Sequence, residues 1–238
     1  MKISFNNLTG FAPTDVLWTI IGQNQAKQFA HITVDGNGNS SFVPMQLSDN
    51  VNGFANYSLP LSQCAALSWP NNLFINSARI YVSIGGSLPI QVQSDGNTPP
   101  TITYAPPSIT NPGLAGYNLL YDFSEFAFMP AGGNSFNQLN FNTSSVDFFC
   151  IPILAGLSGG NLQQALSVGY SASRMDIFTA ISTCKGANFA GLIIPMPSQN
   201  PSAMSLKSKT LGSRQDTTLA AVKDLRILSP ANVFSGDE

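Results

Sequence analysis

Short apolar runs, separated by turn-forming Gly, Asn, Asp and Pro residues, organise the first two-thirds of the chain. Within each run, hydrophobic residues alternate with polar ones or follow one another directly, which is typical of β-strands. The pattern predicts a strand-rich meander whose first strands cover residues 3–5, 16–22 and 29–34. It also predicts a hairpin over residues 77–93, with its turn at Gly85-Gly86.

A long connection follows this predicted hairpin. Residues 94–118 contain five prolines together with several Gly and Asn residues, so the pattern predicts a loop. Loops of this length in a folded domain are often functional, and many lie across a cleft. The connection leads directly into the most distinctive stretch of the chain.

That stretch, residues 121–153, holds two apolar, aromatic-rich runs on either side of a turn region at residues 130–134. Each run carries one acid among hydrophobic neighbours, Glu125 in the first and Asp147 in the second. A hairpin-like pairing of the two runs would bring the carboxylates close together. Two neighbouring carboxyl groups are the chemistry that glycoside hydrolysis requires.

The last third of the chain has a different pattern. A helix is predicted over residues 171–182, with Arg174 and Asp176 pointing outward and an apolar face made of Met175, Ile177, Phe178 and Ile181. Buried strands are predicted over residues 189–194 and 222–228. This segment therefore mixes helix and strand.

The fold class that accounts for both patterns is mainly β. We expect a β-sandwich or barrel over residues 1–153, carrying the acid pair, with a smaller α/β part over residues 154–238 packing beside it. No internal repeat of fixed period is present.

Composition narrows the possible partners. The chain is 43% hydrophobic, enough for a core, whereas only 9% of its residues are charged, against roughly 25% in an average domain. The net charge is −2 and Lys and Arg are not clustered, which argues against nucleic acid as a partner. No apolar run approaches the ~20 residues of a membrane span, and residues 1–20 lack the pattern of a signal peptide.

The three cysteines, Cys64, Cys150 and Cys184, are odd in number and widely spaced, so they do not predict a disulfide framework. One bridge plus a free thiol remains open. Three buried, reduced thiols in hydrophobic surroundings are the favoured interpretation.

Other catalytic and metal-binding patterns fail on inspection. Residues 156–160 match G-x-S-x-G, but the only histidine, His31, lies upstream of that serine. Residues 35–39 resemble the start of a calcium loop, yet Ser40 and Gln46 stand where Gly and Glu are required. One histidine and scattered cysteines do not fit the usual zinc sites, and no phosphate-binding glycine loop is present. We therefore expect no metal or organic cofactor.

Several segments resemble a known family. ARIYVSIGGSLPI, YDFSEFAF, NFNTSSVDFFCIPI and DLRILSP are similar to segments of glycoside hydrolase family 64 in the same order, and SRMDIFTAI resembles the helix of that family. The resemblance implies a thaumatin-like fold and a secreted β-1,3-glucanase that binds laminarin-type glucan in an open groove between a β and an α/β domain. Family enzymes continue beyond the last segment, so the α/β wall is expected to be incomplete within residues 154–238.

The resemblance also implies roles for the two acids. Glu125, in the EF motif, would be the general acid that protonates the departing glycosidic oxygen. Asp147, in the VDFF motif, would be the general base that activates water. Family enzymes invert the anomeric centre, which requires carboxyl groups about 6.5–9.5 Å apart so that a water fits between them.

Four further residues complete the predicted site. Arg79 is expected to contact sugar or to hold a carboxylate by a charge-assisted bond, although a surface arginine is an equal alternative. Asn142 and Thr143 are expected to bind sugar hydroxyls, or else to stabilise a turn. Asp122 lies three residues before Glu125 and so on the opposite face of a strand, which suggests a structural or supporting role.

Three functions remain open at this point. The leading hypothesis is inverting hydrolysis of β-1,3-glucan. A non-catalytic β-glucan-binding module that keeps the groove is the second. A self-assembling coat, filament or shell subunit is the third, which the low charge and the abundant Asn and Ser permit. The acid pair, placed within both family motifs, favours the enzyme.

Overall fold

The computed structural model describes residues 1–109, 111, 113–130, 137–143, 145, 147–159, 163–184, 189–195 and 225–228. Within these residues the chain is mainly β, which confirms the predicted fold class. None of the helices in this part of the chain has the length and apolar character needed to cross a membrane.

The described elements include sixteen strands, one α-helix and two short 3-10 turns. The helix, α1, spans Arg174–Thr183, and the turns span Leu47–Asp49 and Phe189–Leu192. In chain order the strands are β1 Lys2–Ser4, β2 Val16–Gln23, β3 Phe29–Val34, β4 Ser40–Pro44, β5 Leu59–Pro60, β6 Ala66–Ser68, β7 Ile75–Ile84, β8 Gln91–Ser94, β9 Ile102–Ala105, β10 Leu120–Met129, β11 Gln138–Asn142, β12 Phe148–Phe149, β13 Leu154–Leu157, β14 Leu166–Gly169, β15 Ile193–Pro195 and β16 Leu225–Leu228.

A seven-stranded antiparallel sheet forms the centre of the molecule. Its strand order is β11-β10-β7-β2-β3-β4, and β5 pairs with β2 beside β3. The three central strands, β10, β7 and β2, are also the longest, with 10, 10 and 8 residues. Their sequences are apolar on both faces because both faces of the sheet are covered by protein.

Each face of this sheet packs against its own hydrophobic cluster. One cluster holds the fully buried Trp18 and Trp69, and the Trp18 indole donates to the Cys64 carbonyl at 2.8 Å. The other holds Tyr81, Tyr121 and residues of the last third of the chain. Burying a large apolar side chain contributes roughly 1.5–3 kcal/mol, so these aromatic residues anchor both layers.

Smaller sheets surround the central one. They have the orders β12-β16-β15, β13-β14, β8-β9 and β1-β6. In the first of them, β12 pairs with β16 and so joins residues 148–149 to residues 225–228. The parts of the chain before and after residue 153 therefore contribute strands to the same sheet. The domain division predicted at that residue stays a prediction.

Helix α1 has the apolar face that its sequence predicts. Phe178 is buried, Met175, Ile177 and Ile181 pack against the same cluster, and the Phe178 ring lies 6.1 Å from that of Phe149. The predicted outward direction of Arg174 is wrong. Its Nε donates to the Cys150 carbonyl at 2.6 Å, and its guanidinium carbon lies 4.4 Å from the centroid of the Phe178 ring. The hydrogen bond and this cation–π contact hold the side chain against the core.

Two predicted strand pairings are also wrong. The hairpin around Gly85-Gly86 does not form, because β7 pairs with β2 and β10 while β8 pairs with β9. Strand β9 lies inside the predicted loop of residues 94–118. The second error concerns the two acid-bearing runs, which do not pair at their acids. Strand β10 forms its hairpin with β11, whereas the residues that follow Asp147 belong to another sheet.

Other predictions hold in part. The segment 189–194 begins as a 3-10 turn and becomes strand only at β15, and of residues 222–228 only β16 lies within the described residues. All three cysteines are free thiols. Cys64 and Cys150 are buried as predicted, whereas Cys184 is exposed, since it caps the end of α1 at the surface.

Gly22 allows β2 to lie close to β7, and this close approach is testable. A Cβ at Gly22 would lie 2.5 Å from the Ala78 Cβ, in the middle of the central sheet. We expect Gly22→Ala to lower the free energy of unfolding by about 1–3 kcal/mol, measured by urea denaturation. The matched control is Gly36→Ala, because nothing lies within 4 Å of its added Cβ; we expect a change of about 0.5 kcal/mol or less. Equal losses in both variants would contradict this packing.

Candidate functional site

A row of residues that runs across the central sheet forms the base of the site. The antiparallel register pairs Ile21 with Arg79, Arg79 with Glu125, and Glu125 with Asn142. Residues directly opposite one another project from the same face of a sheet. Strands β7, β10 and β11 therefore bring Arg79, Glu125 and Asn142 together, and the Asn142 Nδ2 donates to Glu125 Oε2 at 3.4 Å.

Arg79 is the cation of this row. Its guanidinium carbon lies 4.2 Å from the centroid of the Phe123 ring, a cation–π contact that fixes the side chain along the sheet. Burial by itself lowers the pKa of Arg79, but Tyr81, Tyr104 and Glu125 together outweigh it and raise that pKa. Arg79 is thus a half-buried, permanently charged group beside an exposed carboxylate.

Asp147 reaches the same face from a different sheet. It immediately precedes β12, whose Phe148 ring packs on Tyr121 and Phe123 with centroids 5.0 and 6.2 Å apart. Tyr121, Phe123 and Glu125 alternate along β10 and so share one face. The Phe148 contact therefore places the exposed Asp147 on the face that carries Arg79 and Glu125.

Asp122 ties the two acid-bearing segments together from the opposite side. It is buried, with 3% of its surface exposed. Its Oδ2 accepts from the backbone N–H groups of Cys150 and Ile151 at 2.8 and 3.0 Å, and its Oδ1 accepts from that of Phe123 at 2.9 Å. Burial raises the pKa of its carboxyl to about 6, although the three N–H donors act in the opposite direction.

Two adjoining cavities lie over this face. The smaller, of about 260 Å³, is lined by Asp147 and its neighbours Tyr81, Tyr121, Phe123, Phe148 and residues 106–109. The larger, of about 770 Å³, is lined by Glu125 and by residues that include Phe29, Asn76, Tyr104, Phe141 and Asn142. Arg79 and Pro106 line both, so the two cavities adjoin and hold one acid each; together we call them the groove, and each cavity one half of it.

The structure thus brings together Arg79, Glu125, Asp147 and Asn142 among the predicted site residues. Thr143 is buried, with 7% exposure, and lines neither cavity. Asp122 has its carboxylate enclosed by backbone amides, so it supports the site without facing the groove. Among the described residues, no group of three or more His, Cys, Asp or Glu side chains is placed to hold a metal ion.

Sequence reasoning missed Tyr104 and the wall of residues 106–109. Tyr104 lies on β9, its hydroxyl 3.1 Å from that of Tyr81, and lines the larger cavity. The alternating apolar positions of residues 102–105 were the available signal, but the surrounding prolines favoured a loop. The two halves of the groove thus offer one carboxyl group each, beside amide and hydroxyl side chains.

Comparisons with known proteins agree with this fold. A family model described as β-1,3-glucanase, for glycoside hydrolase family 64, matches residues 1–218. A β-1,3-glucanase domain from Clostridium beijerinckii is 27% identical with a TM-score of 0.68, covering 81% of this chain and 51% of that one. A laminaripentaose-producing β-1,3-glucanase from Paenibacillus barengoltzii, complexed with laminarihexaose, is 22% identical with a TM-score of 0.65, covering 98% and 48%.

The chain spans about half the length of these solved proteins. No curated protein matches it. The family match and the two structures agree in the fold, and the groove described above lies within the matched residues.

The buried Asp122 carboxyl predicts a pH dependence of stability. Its folded pKa of about 6 exceeds its ordinary value of 3.8, so the folded chain holds a proton that the unfolded chain has already lost. This stabilisation is fully present below about pH 4 and is lost as pH rises through about 6. Relative to Asp122→Asn, we expect the wild type to gain about 2–3 kcal/mol of unfolding free energy between about pH 7 and about pH 4.

Urea denaturation of both proteins across this pH range measures the difference. Asp122→Asn also loses one acceptor for a backbone amide, which we expect to lower its stability at every pH by about 1–3 kcal/mol. Parallel profiles with a constant offset would show that Asp122 does not titrate in this window.

Proposed function

The chain belongs to glycoside hydrolase family 64, the β-1,3-glucanases, and on that premise we propose that it hydrolyses β-1,3-glucan with inversion at the anomeric carbon. The single observation that carries the proposal is the groove with one exposed carboxylate in each of its two adjoining halves. Arg79 lines both halves.

Glu125 is the general acid of the proposed mechanism. Its carboxyl proton passes to the glycosidic oxygen as the bond from that oxygen to the anomeric carbon breaks. Arg79, directly opposite Glu125 in the sheet, stabilises the carboxylate that remains after the proton has left. This interaction is stronger in the transition state than in the ground state, so it contributes to the rate.

Asp147 is the general base. It accepts a proton from a water molecule while the water oxygen bonds to the anomeric carbon on the face opposite the leaving group. The two acids come from different elements, β10 in the central sheet and the residue before β12 in another, and the proposed inversion requires a separation of about 6.5–9.5 Å so that a water fits between them. Neutral polar side chains such as Asn76, Asn140 and Asn142 line the larger cavity and suit sugar hydroxyls.

The roles of the two acids are tested by Glu125→Gln and Asp147→Asn. We expect each to reduce the rate of laminarin hydrolysis, followed by reducing ends, by about 10²–10⁴-fold, because each removes a proton-transfer group. Asp15→Asn is the control, since Asp15 lines neither cavity, and it should cleave at the wild-type rate. If the wild type cleaves laminarin no faster than the two variants, the proposed hydrolytic activity is refuted.

Binding of laminarihexaose, measured by calorimetry on the same proteins, separates chemistry from fold. Glu125→Gln should bind the hexasaccharide within about threefold of the wild-type affinity, because the substitution preserves shape. Wild type that binds laminarihexaose without cleaving it would instead support a non-catalytic glucan-binding module.

A further inference from the structure

Arg226 is the most deeply buried charged residue among those described, with 0% of its surface exposed. It lies on β16, where its Nη1 donates to the carbonyl of Ile109 at 3.2 Å and its Nη2 donates to the carbonyl of Tyr117. Its guanidinium carbon lies 4.8 Å from the centroid of the Tyr117 ring. A buried cation is costly unless such partners compensate it, so this arrangement requires an explanation.

The carbonyl of Ile109 belongs to the wall of the smaller cavity. We call residues 106–109 the groove wall, because all four line the half of the groove that holds Asp147. A second side chain also holds it, since the Tyr121 hydroxyl donates to the Pro107 carbonyl at 2.7 Å. Tyr121 comes from the central sheet and Arg226 from β16, so the groove wall is fixed between two sheets.

The strand that carries Arg226 also flanks the proposed base. Strand β16 pairs with β12 through Phe148 with Leu228 and Phe149 with Ile227. Asp147 is the residue before β12. One short strand therefore contacts both sides of the smaller cavity, the groove wall through the Arg226 side chain and the Asp147 segment through its backbone.

We infer that Arg226 is a positioning residue that sets the distance between the groove wall and Asp147, and so the width of the subsite where water attacks. The inference rests on the proposed function, because it concerns the same groove. Arg226 lines neither cavity itself and acts through the backbone carbonyls that it binds. A shift of about 1 Å in such a wall is enough to reduce turnover by up to about 10²-fold.

Arginine suits this role better than any other side chain. Its planar fork of donors reaches two carbonyls that lie eight positions apart in the chain and still stacks on the Tyr117 ring. Lysine offers a point charge without the fork, and methionine preserves much of the volume without any donor. These two substitutions therefore separate the hydrogen bonds from the packing.

The test compares Arg226→Met and Arg226→Lys with a control that destabilises the fold elsewhere. Leu67→Ala serves as that control, because Leu67 is buried in the cluster on the other face of the central sheet and lines neither cavity. Two quantities are measured on each purified full chain. They are kcat and KM on laminarin, per folded molecule, and hydrogen–deuterium exchange of the peptide spanning residues 105–121.

We expect Arg226→Met to lower kcat about 10–100-fold with KM changed by less than about threefold, because the larger cavity is intact. Exchange should rise in the 105–121 peptide above any general rise. Arg226→Lys should recover part of both effects, and Leu67→Ala should keep the wild-type kcat. Wild-type kcat in Arg226→Met, or the same loss of kcat in Leu67→Ala, would overturn the inference.

The two readouts also distinguish this inference from the proposed function. A wild-type chain that does not cleave laminarin contradicts the proposed function, and the exchange measurement then decides the anchoring by itself. Exchange that rises selectively in the 105–121 peptide of Arg226→Met supports an anchored groove wall. A uniform rise along the chain shows that Arg226 stabilises the fold in general and refutes its positioning role.

Discussion

The buried carboxylate of Asp122 is the interaction on which the site depends. Glu125 belongs to the central sheet and Asp147 to the chain leading into a separate small sheet, so no β-ladder within the described residues joins them. Asp122 supplies the connection, because it lies on β10 and accepts from the amides of Cys150 and Ile151 at 2.8 and 3.0 Å. Burying the charge is costly, and three backbone donors make that cost tolerable.

The groove takes its electrostatic character from one cross-strand row. The register of β7, β10 and β11 places Arg79 between the two halves of the groove and directly opposite Glu125. Apart from Arg79 and the two acids, the described polar side chains that line the groove are amides and hydroxyls. This agrees with a chain in which only 9% of the residues are charged. Among the described residues the groove holds one cation and two acids, and such a polar groove suits an uncharged polysaccharide, whose hydroxyls need hydrogen bonds and whose cleavage needs proton transfer.

The sequence predicted correctly those features that depend on the local pattern of hydrophobic and polar residues. It located β2 and β3 nearly to the residue and the apolar face of α1, because alternation and helical periodicity follow directly from burial. The sequence did not predict the strand pairing correctly. One partner of β10 is β7, a strand some forty residues earlier in the chain, and short-range turn signals carry no information about such a distant pairing. The sequence also gave the wrong direction for the Arg174 side chain and did not single out Arg226. Both arginines contact backbone carbonyls and aromatic rings that come close only in the folded chain, so no local pattern marks them.

In the proposed mechanism, Glu125 and Asp147 act on opposite faces of one glycosidic bond. The stereochemistry of the first product tests it most directly, with proton NMR following the anomeric signals during early hydrolysis of laminarihexaose. We expect the α-anomer to appear first and then to equilibrate with the β-anomer, because water attacks opposite the departing oxygen. A β-anomer that appears first would contradict it, since retention requires one carboxylate to act as a nucleophile.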